Sequence, residues 1–462
     1  MLSFFRINDP YRLLGAFLVL LTGRIVYWIV AGELTVPELK WLLIGERLDN
    51  GFIMYRDLYD YTGPLSSLTY KIIDLAFGRS IWPHRILGLF LVFYNAAILS
   101  IQLAKSKVFA ENNYLPGFFY VLFALAIPEG GNLSPMLMSS TFIILGLSNV
   151  FRRVDNEASD ELFLYAGLYL GIAVLFYLPS VTFFFILLLS LLIFSSAIPR
   201  RIFLYIYGLT VPLILAIANF YWYDAFDYFM GQFFLGGFIL DRRFFLDWPS
   251  FWIVSGVFVF WTFYALIVII RRGRYGNYET KVIQIMLLVA IAAAVSVLVD
   301  VSLQPAQLHL LIPALAFFLA HLALLLKKRF YKFLIPWIIF LSLVTNAYWA
   351  PAFADLTNYI LDSQTIPGIV EAKAMVLSDQ PETYYAKQQI AGPFFNKELS
   401  INQMNYLVYY ETAYQIYDAI QKDLPQVIID DWLLMPAVFE RFPTLKEQYR
   451  AGSNNRYYLK DN

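Results

Sequence analysis

Apolar runs of about 20 residues recur along the first 350 positions of this chain. Hydrophobic residues make up 60% of the sequence and charged residues only 15%. A soluble domain of this composition would expose apolar patches far larger than soluble monomers show. Runs of this length cross a bilayer as helices. The sequence therefore predicts an all-α polytopic membrane bundle with about eleven transmembrane helices.

Basic residues predict which ends of these helices face the cytoplasm. The loops at 128–135 and around Ser302 contain no Lys or Arg. The positive-inside rule places the basic loops and the N-terminus in the cytoplasm, with a bacterial inner membrane as the expected location. The basic loops contain Lys105/Lys107, Arg152/Arg153, Arg200/Arg201, Arg271/Arg272/Arg274 and Lys327/Lys328/Arg329/Lys332.

The composition changes after Ala350, beyond which no apolar run is long enough to span a membrane. Short β-like runs at 374–377, 427–429 and 456–459 alternate with two segments of helical spacing. We therefore predict two domains: a transmembrane domain over 1–350, with an amphipathic external loop at 32–80, and a small extracytoplasmic α/β domain over 351–462. Equal numbers of basic and acidic residues, 34 of each, indicate no nucleic-acid partner.

The external loop carries an ordered set of polar residues. Glu38 begins a short amphipathic helix, and Gly51 follows thirteen positions later. The remaining elements are Tyr55-Arg56-Asp57, Gly63-Pro64 and a second helix ending at Phe77-Gly78. This layout resembles the first external loop of the GT-C superfamily of membrane glycosyltransferases. Those enzymes use polyprenyl- or dolichyl-phosphate sugars and include protein mannosyltransferases and aminoarabinose transferase-like enzymes.

The loop departs from the family pattern at one position. In GT-C enzymes an Asp-Glu pair precedes the helix; the Glu of the pair falls on Glu38, whereas the Asp falls on Pro37. In many family members that Asp is the essential acid. The resemblance therefore implies either that Glu38 or Glu33 has taken the role or that the activity is lost.

The resemblance implies a glycosyltransferase that moves a sugar from a polyprenyl-phosphate donor to an extracytoplasmic glycan, lipid or protein acceptor in the cell envelope. Membrane lipids and an envelope protein complex are further expected partners. No cofactor is expected, although the sequence leaves a divalent metal open. The implied catalytic residues are Glu38, Glu33 and Glu129. The implied substrate- and phosphate-binding residues are Arg56, Asp57, Arg85, Arg242, Arg243, Gln304 and His309.

Each of the strongest candidates also has a structural explanation. A carboxylate such as Glu38 in a first helical turn is stabilised by the helix dipole, and Glu129 lies in a Gly-rich turn. Arg242 and Arg243 could extend toward lipid headgroups, and a lone boundary histidine such as His309 is commonly structural. The charge of Arg24, within the first span, marks a functional site by default and requires a carboxylate or lipid phosphate as partner.

The sequence also leaves a non-catalytic alternative open. The chain could be an inactive GT-C-derived subunit or scaffold of an envelope complex, and the proline at position 37 is the main support for that interpretation. A lipid or polysaccharide transporter is disfavoured, because the spans contain few carboxylates.

Overall fold

The computed structural model describes residues 2–7, 9–31, 34–109, 111–154, 159–194, 199–239, 243–326, 328–356, 359–361 and 372–460. These residues form two compact units. The helical unit comprises Met1–Gly32, His84–Ala216 and Phe244–Asn358. The mixed unit comprises Glu33–Pro83, Ile217–Arg243 and Tyr359–Asn462.

The helices, in chain order, are α1 (Leu2–Phe5), α2 (Arg12–Ala31), α3 (Val36–Asp49), α4 (Pro64–Phe77), α5 (Ile81–Lys105), α6 (Leu115–Ala126), α7 (Pro135–Val154), α8 (Glu161–Phe176), α9 (Thr182–Phe194), α10 (Pro199–Trp222), α11 (Phe226–Phe229), α12 (Gly236–Ile239), α13 (Trp248–Arg272), α14 (Asn277–Val299), α15 (Ile312–Leu325), α16 (Arg329–Phe353), α17 (Pro381–Tyr385), α18 (Lys397–Asn405), α19 (Tyr410–Lys422), α20 (Met435–Arg441) and α21 (Pro443–Gln448). The strands are β1 (Arg243–Phe244), β2 (Ser302–Leu303), β3 (Lys373–Leu377), β4 (Gln389–Ile390), β5 (Val427–Asp430), β6 (Tyr449–Ala451) and β7 (Arg456–Leu459). Two 3₁₀ segments (Leu178–Val181 and Pro305–Leu310) and a π-helical segment (Met230–Leu235) complete the elements.

Among the described residues, six helices are long and apolar enough to cross a membrane: α2, α5, α10, α13, α14 and α16. Shorter apolar helices accompany them, so the chain is an integral membrane protein, as the composition predicted. The number of crossings and their orientation stay predictions. At the centre of the helical unit, α6 and α15 pack on each other and are buried along nearly their whole length. The segment after α6 and the 3₁₀ segment before α15 carry the candidate residues described below.

The mixed unit is built on a five-stranded sheet with the order β4-β3-β5-β7-β6. Strand β3 is parallel to β4 and β5, whereas β7 is antiparallel to β5 and β6. Buried apolar side chains such as Met375, Ile416 and Ile428 form its core together with Tyr59 from the external loop. The sheet confirms the predicted C-terminal strands, while the domain boundaries at 350 and 351 stay a prediction. Residues 33–83 belong to the same unit as the sheet.

Helix α4 in the mixed unit buries several polar side chains and exposes apolar ones. It buries Ser66, Ser67 and Asp74 together with Tyr70 and Ile73. The face that it leaves uncovered is apolar: Leu68, Ile72, Leu75 and Phe77 are 50–70% exposed. Such a stripe is unfavourable in water and is typical of a helix whose apolar face meets the bilayer surface.

Candidate active site

Arg24 of α2 is buried in the helical unit, with only 1% of its surface exposed. Its Nη1 donates to the carbonyl of Pro128 at 3.1 Å, and its Nη2 donates to the carbonyls of Ala124 at 2.7 Å and Ile127 at 3.2 Å. The last carbonyls of a helix have no partner within the helix and carry its negative dipole end, so they favour a cation. Arg24 therefore fixes the end of α6 and the loop that follows.

Two glycines in this loop make room for the Arg24 side chain. A Cβ atom at Gly131 would lie 2.7 Å from Nε of Arg24, and one at Gly130 would lie 2.7 Å from its Nη2. Both distances are too short for any side chain. The sequence suggested ordinary turn chemistry for this pair, whereas the structure gives it a packing function at a buried cation.

Three predicted site residues interact electrostatically with Arg24. The charges of Glu129 and Arg85 act on Arg24, and the charge of Arg24 acts on His309. Glu129 is 2% exposed and Arg85 is 6% exposed. Glu129 is thus a carboxylate whose charge acts on Arg24, whereas the predicted partner of Arg24, a carboxylate or a lipid phosphate, stays a prediction. The helical unit concentrates two guanidinium groups, a carboxylate and an imidazole in a buried region, where electrostatic interactions are strong.

The 3₁₀ segment before α15 adds polar atoms that lack partners. His309 is fully buried, and neither of its ring nitrogens has a hydrogen-bond partner among the residues that the structure describes. Among the described residues, the side-chain carbonyl oxygens of Gln304 and Gln307 also have no hydrogen-bond partner. An unsatisfied buried polar atom costs about 1–3 kcal/mol, and such atoms commonly meet water or a ligand.

A carboxylate that the sequence analysis missed holds this segment in place. Oδ2 of Asp300 accepts hydrogen bonds from the Tyr177 hydroxyl at 2.6 Å, from Oγ of Ser302 at 3.2 Å and from Nε2 of Gln307. Its Oδ1 accepts from the backbone N–H of Ser302 at 3.2 Å. A carboxylate at the C-terminus of α14 is disfavoured by the helix dipole. Its hydrogen bonds to the segment offset that cost and position the residues leading to His309.

Glu38 has a clear structural role in the mixed unit. Its Oε2 accepts hydrogen bonds from the backbone N–H of Thr35 at 3.1 Å and from Oγ1 of Thr35 at 3.3 Å. The Thr35 hydroxyl in turn accepts from the backbone N–H of Glu38 at 3.3 Å. This reciprocal arrangement is a capping box at the start of α3. It accounts for the burial of Glu38 without catalysis.

Arg56 and Asp57 pair with each other in the mixed unit. Nε of Arg56 lies 3.0 Å from Oδ1 of Asp57, and Nη2 lies 2.9 Å from Oδ2. Nη1 donates to the carbonyl of Tyr223 at 2.9 Å. These contacts fix the external loop against the 217–243 segment. Glu33 and Arg242 lie outside the described residues, and only the backbone of Arg243 is described.

The mixed unit also contains buried ion pairs that the sequence analysis did not identify. Nζ of Lys40 lies 2.7 Å from Oδ1 of Asp60, which is fully buried. Arg47 pairs with Asp423, which also accepts from Lys373 at 3.1 Å. Burial would raise the pKa of Asp423, but the charge of Arg47 and the hydrogen bonds from Arg47 and Lys373 bring that pKa below its usual value.

The residues that the structure describes include no group of three or more His, Cys, Asp or Glu side chains suited to a metal ion. Near the end of α4, Arg79 pairs with one carboxylate of α3: its Nη1 lies 3.1 Å from Oε2 of Glu46. Burial, together with the charges of Glu46 and Asp49, raises the pKa of Asp74 to about 6, although Arg79 opposes this shift.

No protein-family profile matches the chain, and no curated protein sequence matches it significantly. Solved structures do match. ArnT from Cupriavidus metallidurans in the apo state has 15% sequence identity and a TM-score of 0.55, covering 96% of this chain and 97% of that chain. The same protein bound to undecaprenyl phosphate has 14% identity and a TM-score of 0.53, with the same coverage. The chain thus shares its fold with ArnT over nearly its whole length, in agreement with the resemblance of the loop at 32–80.

Proposed function

We propose that this chain is a GT-C glycosyltransferase that moves a sugar from a polyprenyl-phosphate-linked donor to an acceptor outside the cytoplasm. The shared fold supports the reaction class, because it extends over 96% of this chain and one matching structure holds undecaprenyl phosphate. The observation that carries the proposal is the burial of Arg24, Arg85, Glu129 and His309 in the helical unit, with electrostatic interactions between Arg24 and the other three.

The reaction makes two demands on the protein. An acceptor hydroxyl attacks the anomeric carbon, the bond from that carbon to the phosphate oxygen breaks, and the lipid phosphate leaves with the electron pair. The acceptor proton must pass to a base, and the departing phosphate must be stabilised by positive charge. In the helical unit, Glu129 could accept the proton, while Arg24 and Arg85 provide the charge.

Glu38 and Glu129 are the two described candidates for the base. The capping box makes Glu38→Gln a clean test, because glutamine serves at this position of a capping box as glutamate does. The substitution therefore keeps the helix start and removes only proton uptake. Glu129→Gln likewise keeps the size of the side chain beside Arg24.

The experiment measures sugar transfer from a panel of polyprenyl-phosphate donors by the wild type, Glu38→Gln, Glu129→Gln and Glu33→Gln in proteoliposomes. We expect the variant that lacks the base to lose about 10²–10⁴-fold in rate. Glu279→Gln is a matched control, because Oε2 of Glu279 closes a comparable capping contact with the N–H of Gly276 at 3.0 Å. A wild type that transfers no sugar from any donor would overturn the proposal and leave the inactive-subunit alternative.

A further inference from the structure

The mixed unit displays a cluster of exposed aromatic side chains between α18 and the first turns of α19. Within nine residues, five large side chains are 51–80% exposed. The ring centroids of Tyr406 and Tyr409 lie 6.0 Å apart. Those of Tyr410 and Tyr414 lie 6.5 Å apart, with ring planes only 14° from parallel. We call this the tyrosine surface: Tyr406, Val408, Tyr409, Tyr410 and Tyr414.

The fold does not need these side chains for its core. Met404 and Ile416, on either side of the surface, are buried in the core of the mixed unit, and Leu407 packs against that core. The segment thus already supplies its apolar contacts to the sheet. A contiguous exposed apolar patch of this kind marks an interaction site, and tyrosine gives a large, rigid contact area at low entropic cost.

The charge around the surface restricts the partner. No Lys or Arg occurs between Lys397 and Lys422, whereas Glu398, Glu411 and Asp418 do. Anionic membranes and phosphate groups are bound by clusters of basic residues. The tyrosine surface therefore suits a neutral partner that offers both apolar faces and hydroxyl groups.

A carbohydrate meets both requirements. The C–H faces of a pyranose ring stack on flat aromatic rings, and its hydroxyls form hydrogen bonds with amide and carboxylate groups. The same segment carries such groups: Nε2 of Gln403 donates to Oε1 of Gln415 at 3.2 Å, and Glu411 is exposed. We propose that the tyrosine surface binds a neutral oligosaccharide, namely the glycan portion of the acceptor; this proposal rests on the proposed glycosyltransferase function.

The test uses the full chain in detergent and an array of neutral and acidic oligosaccharides. We expect the wild type to bind neutral oligosaccharides and Tyr409→Ala/Tyr410→Ala to bind them at least tenfold more weakly, because two stacking contacts are lost. Tyr409→Trp/Tyr410→Trp should retain binding, since tryptophan also stacks. Tyr221→Ala is the control, because Tyr221 is 73% exposed on the same unit but outside the surface.

Equal binding by the wild type and the alanine variant, or no binding by the wild type, would overturn the proposal. Sugar transfer is measured in parallel, so transfer without oligosaccharide binding would reject this inference alone, whereas binding without transfer would reject the proposed reaction alone.

The chain has no cysteine, so Val408→Cys can carry a single spin label. If oxygen from the bilayer relaxes that label in nanodiscs, the surface contacts lipid and the carbohydrate proposal is wrong.

Discussion

The two units bury charge in different ways. In the helical unit, the guanidinium of Arg24 is held by three main-chain carbonyls rather than by a hydrogen-bonded carboxylate. In the mixed unit, Lys40 and Arg47 each pair directly with a buried aspartate. Carbonyl dipoles stabilise a cation without cancelling its charge, whereas a paired carboxylate cancels it. The charge of Arg24 is thus not cancelled by a hydrogen-bonded carboxylate, whereas the pair of Arg47 and Asp423 in the mixed unit joins segments 376 positions apart.

The largest expected effect on stability comes from breaking an ion pair of the mixed unit. Arg47→Met leaves Asp423 buried beside only one remaining cation, the half-exposed Lys373. We expect a loss of about 3–5 kcal/mol in unfolding free energy, with specific activity of the folded fraction unchanged. Urea titration of the purified protein in detergent measures this. The double variant Arg47→Met/Asp423→Leu should regain most of the loss, and failure to do so would argue against a purely structural pair.

The second effect should appear in the activity of each folded molecule, beyond the loss of stability that follows when three buried carbonyls lose their donor. Arg24→Met removes the cation whose charge acts together with Arg85, and we expect transfer per folded molecule to fall about 10²–10³-fold, as when a preorganised electrostatic group is lost. Activity is normalised to the monodisperse protein recovered by size exclusion. Arg24→Lys keeps the charge but replaces the planar guanidinium fork with a compact ammonium, so it separates the effect of the charge from that of the hydrogen-bond geometry. If both Arg24→Met and Arg47→Met lost activity only in proportion to their loss of folded protein, the proposed difference between the two units would be wrong.

The smallest effect concerns Asp74, whose pKa is raised to about 6 in the mixed unit. This folded pKa lies above the ordinary value of 3.8, so protonated Asp74 contributes its full stabilisation to the folded state below about pH 4. That contribution is lost as the pH rises through about 6. Asp74→Asn should remove this pH-dependent loss of unfolding free energy. We expect the loss to be about 1 kcal/mol, because solvent screens part of the interaction. Thermal midpoints of both proteins at pH 4.5 and pH 8 test this; parallel pH profiles would contradict it.

Much of the fold was predictable from sequence, because a bilayer demands long apolar runs wherever a helix crosses it. The strands β3, β5 and β7 were also readable from short β-like runs. Strand β4 has two residues and carries no periodicity, and β6 follows a segment with helical spacing. The grouping of residues 33–83 with the C-terminal sheet depends on contacts such as Arg47 with Asp423, which are 376 positions apart in sequence.

The candidate site was predictable only in part. Arg24 was identifiable because a charge within a span is costly, but its carbonyl partners belong to a different helix and leave no local pattern. Asp300 directly follows an apolar helix and looks like an ordinary boundary residue. The capping box of Glu38, in contrast, was present in the sequence as Thr35-x-x-Glu38 ahead of an apolar run.

The exposed apolar face of α4 changes how substitutions in this region should be judged. Exposed positions are usually tolerant, and a charge introduced there is usually harmless. On α4 the exposed positions Leu68, Ile72 and Leu75 form an apolar stripe of the kind that meets a lipid surface, so we expect a lysine or glutamate there to weaken such a contact. The residues that look most permissive by exposure are therefore among the most restricted in chemistry, and surface accessibility alone predicts the wrong order of tolerance along this helix.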